Sequence, residues 1–84
     1  MQPVTDKEAS EAIAVNVTRL RGDRSKYWLA KETKTTTIHI SRIERGERTP
    51  GAGMLTRLAA AFGVTVDALL APAAPPRKKL AKVG

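Results

Sequence analysis

LAKETKTTTIHISRIERG, residues 29 to 46, is the stretch whose reading decides the fold. Ile40 and Ile43 lie three apart, the spacing of one helical face. Thr36, or Thr35, is an N-cap residue placed just before them, and Gly46 is the C′ residue that ends a helix in the left-handed conformation. The segment therefore reads as a helix over about 37–45. The Leu29–Glu32 end of a preceding helix and a Thr33-Lys34-Thr35 turn lead into it. The TTTIHI run has β-propensity, but its flanks follow a helical pattern, so it is read as helix.

Helices extend outward on both sides of this unit. Upstream, Thr5 and Glu8 form a capping box, Thr-x-x-Glu. Ile13, Val17 and Leu20 then recur at spacings of four and three, predicting a helix over about 6–21 that Gly22 ends. Asp23 or Ser25 caps the next helix, which runs to about Glu32 and draws apolar contacts from Trp28 and Leu29. Downstream, Thr49-Pro50 reads as an N-cap with proline in the first turn. Met54, Leu55, Leu58, Ala59 and Phe62 form the inner stripe of a fourth helix closed by Gly63. Thr65 caps a short fifth helix carrying Val66, Leu69 and Leu70. The fold class is therefore all-α, a single five-helix domain over residues 1–70. APAAPP at 71–76 reads as a stiff extended linker, and RKKLAKVG at 77–84 as a basic tail.

Composition narrows the function classes. The chain has 84 residues and a net charge of +7. A domain of this size buries only about 60% of its unfolded surface, so its stability is modest. Residues 1–70 carry 11 Lys/Arg and 8 Asp/Glu, or +3, and residues 71–84 carry four cations and no acid, or +4. Such a balance attracts a polyanion, nucleic acid before a membrane surface. The chain has no cysteine, so it has neither a disulfide nor a thiolate metal site, and a reducing cytoplasm is the expected compartment. No run approaches the ~18 apolar residues of a membrane span. The sole histidine, His39, has no nucleophile or carboxylate partner in the pattern, and no phosphate-binding glycine loop appears. No catalytic residue, metal or cofactor is expected.

The outer face of the third helix carries the chemistry. With Ile38 at zero on a helical wheel, Arg42 and Arg45 fall within about 40° of it, flanked by Thr37 and Ser41. Ile40 and Ile43 fall opposite. A solvated face ordinarily mixes Glu and Lys, and this one has arginines, hydroxyls and an exposed aliphatic. The major groove of duplex DNA admits one helix and is read by such groups. Arginine grips guanine through two bonds, aliphatic groups meet the thymine methyl, and Ser, Thr and His bond to several base edges. Thr35 and Thr36 at the start of this helix offer an anion site for a backbone phosphate. Ser25 and Lys26 at the start of helix 2 offer a second, and Arg48 lies on the other flank.

These residues resemble the Cro/repressor-type (XRE-like) helix-turn-helix family. The likeness covers about residues 13–70 and rests on Leu29-Ala30, Ile40-Ser41-Arg42-Ile43-Glu44-Arg45-Gly46, Pro50, Leu58-Ala59, Phe62-Gly63-Val64, Asp67 and Leu69-Leu70. It implies a lambda-repressor-like five-helix domain with the helix-turn-helix at helices 2 and 3. It also implies sequence-specific binding of double-stranded DNA, usually by a homodimer on a near-palindromic operator. The reader is the only large domain and leaves no room for a ligand-sensing one, so no small-molecule ligand is expected, which suits a small phage or mobile-element repressor of the Cro type. Carried over, the base-contacting positions are Thr37, Ile38 and Arg42, with His39 adjacent. The phosphate contacts fall near Ser25, Lys26, Thr36 and the loop after Gly46, and this chain's own charges and hydroxyls add Lys34, Thr35, Arg45 and Arg48 as phosphate-contacting residues. Glu44 matches a glutamate that pairs with an arginine on helix 1. Gap-free alignment selects Arg19, whereas the apolar phase of helix 1 selects Arg21. Lys34 stands where the family usually has glycine, and Trp28 where it often has glutamate. An antitoxin or other interaction module using the same domain is the alternative, with Tyr27, Trp28 and the Val66/Leu69/Leu70 edge as its surfaces.

Overall fold

The computed structural model describes residues 6–72. Among them run five helices and no strand: α1 (Asp6–Arg21), α2 (Lys26–Glu32), α3 (Thr37–Glu44), α4 (Ala52–Phe62) and α5 (Val66–Leu70). The expected all-α architecture is the one found. The Thr5 half of the capping box and residues 73–84 of the linker and tail lie outside the described residues, and only Ala71 and Pro72 of the linker fall within them.

One core joins all five helices. Ile13 and Val17 of α1 meet Leu29 and Ala30 of α2, Ile40 and Ile43 of α3, Met54, Leu58 and Ala59 of α4, and Leu69 of α5. Full burial of a large aliphatic is worth roughly 1.5–3 kcal/mol, so these side chains dominate the stability of so small a domain. α3 packs on α1 and α2, while α4 and α5 close the opposite side. α3 thus lies at the edge of the bundle with its Ile40/Ile43 stripe turned inward.

Buried polar groups finish what the apolar stripes begin. Asn16 is buried and its Nδ2 donates to the carbonyls of Leu69 at 2.8 Å and Ala71 at 3.0 Å. Those carbonyls close a five-residue helix whose last C=O groups have no partner within it. The same side chain accepts from Arg19 Nη2 at 3.2 Å.

The start of α4 differs from the sequence reading. Its N-cap is Gly51, which makes no side-chain cap bond, and its first residue is Ala52. Thr49 is engaged elsewhere: its hydroxyl bonds to the hydroxyl of Ser10 on α1. With Thr49 drawn toward α1 and Pro50 buried, the chain turns into the helix two residues late. α3 likewise ends at Glu44, with Arg45 as its C-cap.

Candidate nucleic-acid interface

Local sequence sets each end of the helix-turn-helix. Ser25 is the N-cap of α2, its Oγ accepting the N–H of Trp28 at 2.9 Å. Thr36 is the N-cap of α3, its Oγ1 accepting the N–H of His39 at 3.1 Å. Between them the chain reverses at Lys34, whose φ of +60° is the one positive value among the described non-glycine residues. Thr35 N–H closes the turn on the carbonyl of Ala30 at 2.8 Å. The left-handed conformation costs an L-residue with a Cβ about 1 kcal/mol. Relief of that strain outweighs the extra unfolded-chain entropy of glycine, about 0.4–1 kcal/mol, so Lys34→Gly is expected to stabilise the domain by up to about 1 kcal/mol. Thermal unfolding checks this: a domain of this size shifts by roughly 4–8 °C per kcal/mol, so an unchanged or lower Tm refutes it.

The turn is also held from outside. Arg57 of α4 donates from Nε to the carbonyl of Thr33 at 2.9 Å. Thr33 itself is fully buried, and its Oγ1 donates to the carbonyl of Leu29 at 2.7 Å. No periodicity signals Arg57, because its work is done on a backbone carbonyl 24 residues away. Beyond α3 the chain leaves through Gly46, at φ +75°, where its N–H bonds to the carbonyl of Ile43 at 3.0 Å.

Glu44 pins α3 to α1. Its carboxylate receives two bonds from Arg21, Nε to Oε2 at 2.6 Å and Nη2 to Oε1 at 3.0 Å. The side chains are only 16% and 7% exposed. The bond to Glu44 raises the Arg21 guanidinium above its ordinary value, against the pull of burial. Of the two arginines that the sequence offers, the partner is Arg21, and Arg19 instead meets Asn16. Arg21 Nη1 also donates to the carbonyl of Arg24 at 2.5 Å. Arg24 in turn lays its guanidinium 4.1 Å from the centre of the Trp28 ring, which lies 6.1 Å from Phe62.

The outer edge of α3 is open to solvent. Thr36, Thr37 and Arg42 are exposed, Ile38 is 64% exposed, and Lys34, Arg45 and Arg48 stand exposed beside them. Among the described residues nothing ties the Arg42 guanidinium by hydrogen bond or ion pair. The remaining residues differ from this pattern. His39 is half-buried, with its Nε2 out of solvent and without a hydrogen-bond partner. Lys26 is half-buried and donates to Ser41 Oγ at 3.3 Å, bridging α2 and α3. The Thr35 N–H is consumed by the turn, so the open N–H groups at this end belong to the first turn of α3.

An acid on this surface escaped the wheel because it lies beyond the helix. Glu47 folds back on Arg45, with Arg45 Nε 2.7 Å from Oε2 and Nη2 3.2 Å from Oε1. Its own N–H bonds to the carbonyl of Arg42 at 2.9 Å. The bond from Arg45, helped by the charges of Arg45 and Arg42, holds the Glu47 carboxyl below its ordinary value. The surfaces expected of an interaction module are thinner than the sequence implied. Leu69 is fully buried and Trp28 half-buried against Phe62, leaving Tyr27 at 67% and Leu70 at 37% exposed.

Two capped helices, a left-handed turn between them and a second helix with a bare polar edge define a helix-turn-helix domain. The chain belongs to the helix-turn-helix family, whose sequence profile matches residues 18–69. Its structure is similar to the crystal structure of a hypothetical transcription factor, NHTF, from Neisseria. The two share 23% identity over 87% of this chain and 86% of that one, with a TM-score of 0.72. No curated protein matches the chain. Among the described residues no helix is long and apolar enough to cross a membrane.

Proposed function

We propose that this protein is a sequence-specific transcriptional regulator that places α3 in the major groove of duplex DNA. The observation that carries the reading is the outer edge of α3, where Thr37, Ile38 and Arg42 stand exposed on a helix fixed from behind by Ile40, Ile43 and Glu44. In this motif the second helix presents its N-terminal residues to base edges while the first crosses the backbone. Thr37, Ile38 and Arg42 are the base readers, Arg42 as a two-bond partner for guanine. His39 joins them as a neighbour of Arg42 and Ile38. Ser25, Lys26, Lys34, Thr35, Thr36, Arg45 and Arg48 ring these readers and meet phosphates, supplying affinity without sequence information. The family resemblance supports a homodimer on a near-palindromic operator and a repressor of the kind that phages and mobile elements carry.

Selection of bound sequences from a random duplex pool tests the reading. The expected result is a short motif, repeated with two-fold symmetry at a spacing of about one helical turn. Recovery of the pool without enrichment would sink it. The basic segment 77–84 is proposed to track the DNA backbone. Its removal is expected to weaken binding to all sequences alike, flattening the salt dependence by about 0.9 in log–log slope for each phosphate no longer neutralised. Identical slopes for full-length and truncated protein would show the segment to be a bystander.

A further inference from the structure

The acid at the end of α3 is out of keeping with its surroundings. From Lys34 to Arg48 the exposed surface is otherwise cationic or neutral, with Glu44 turned inward onto Arg21. Glu47 is held in this surface by its own backbone bond to the Arg42 carbonyl, so it does not drift away from the two arginines. Its carboxylate takes both edges of the Arg45 guanidinium that point toward it. Both side chains remain about half exposed, at 55% and 52%, so the pair is open to a competing anion.

We propose that Glu47 is an electrostatic brake on DNA binding, holding Arg45 back so that it counts for less than a full phosphate contact. The inference rests on the duplex-binding reading. Two acceptors compete for one guanidinium: a carboxylate two residues away, always present, and a phosphate that arrives with the duplex. Arg45 reaches the phosphate only by giving up a two-bond partner, and Glu47 then faces the same polyanion as a like charge. Both effects oppose the counter-ion release that drives unselective association. Among the described residues Glu47 makes no side-chain bond to the readers Thr37, Ile38 and Arg42. The consequence is a protein held back on arbitrary DNA, where backbone contacts supply nearly all the affinity.

The test is a double-mutant cycle on a random-sequence duplex of about 20 base pairs, read by salt titration, with Glu47→Gln and Arg45→Ala. Glu47→Gln alone should steepen the log–log slope by about 0.9, which is about a fivefold tightening near 0.15 M salt. In the Arg45→Ala background the same substitution should have a clearly smaller effect, because the braked group is gone and only the like-charge repulsion of Glu47 remains. Asp67→Asn, the same charge change on α5, should leave the slope as it is. Equal effects of Glu47→Gln in both backgrounds, an equal effect of Asp67→Asn, or no effect of Glu47→Gln would each overturn the brake while leaving duplex binding intact. A wild-type chain that binds no duplex at any salt would overturn both readings together.

Discussion

Glu44→Ala is expected to destabilise the domain by about 3 kcal/mol. The reason is the partner left behind. Arg21 is 16% exposed in its side chain, and without the carboxylate its guanidinium stays in that site with nothing to balance it. The effect spreads beyond the pair. Arg21 also orders the carbonyl of Arg24, and Arg24 covers Trp28, so α1, α2 and α3 all loosen at one end. A domain of this size has roughly 0.05–0.15 kcal/mol of stability per residue, so the substitution removes a large share of it. Thermal unfolding should show a fall of about 12–24 °C in Tm. An unshifted Tm would show that this part-buried pair adds nothing to stability. Replacing both partners with apolar residues, Glu44→Leu with Arg21→Met, should recover much of the stability, since no orphaned charge remains.

Arg42→Ala should leave the fold intact and damage recognition. The side chain is exposed and makes no tie within the described residues, so its removal creates no cavity and strands no partner. On DNA it is expected to cost about 1–3 kcal/mol and to relax preference at one base pair. Repeating the sequence selection with this variant checks both. A motif unchanged at every position would remove Arg42 from the readers. The contrast with Glu44→Ala separates holding the helix from using it. One variant should lose Tm and keep its base preference in whatever fraction folds, and the other the reverse.

What was legible in the sequence was whatever repeats along it. The Ile13/Val17/Leu20 stripe sets the phase of α1 and, against a gap-free alignment that selects Arg19, points to Arg21 as the arginine that faces Glu44. The Ile40/Ile43 pair fixed which edge of α3 turns outward. Caps at Ser25, Thr36 and Thr65 were legible because each acts within three residues of itself. What could not be read depends on contacts between distant segments. Thr49 looks like a cap until Ser10, 39 residues earlier, takes its hydroxyl. Arg57 looks like a solvated cation on a helix, and in the fold it secures the turn through Thr33. Glu47 escaped for a different reason. A helical wheel assigns no angle to a residue after the helix has ended, yet this one bends back over the last turn.

Trp28 is the chain's single tryptophan, and its position makes it an internal optical reporter. The indole lies between α2 and α4, under one guanidinium and beside Phe62, three residues past the Ser25 cap that faces a phosphate in the proposed complex. Its emission therefore senses the contact between α2 and α4. Unfolding, loosening of the Arg21–Arg24 link and, in the proposed complex, the arrival of a duplex at the head of α2 should each alter the surroundings of one fluorophore. The protein can be followed in all three processes without an attached label.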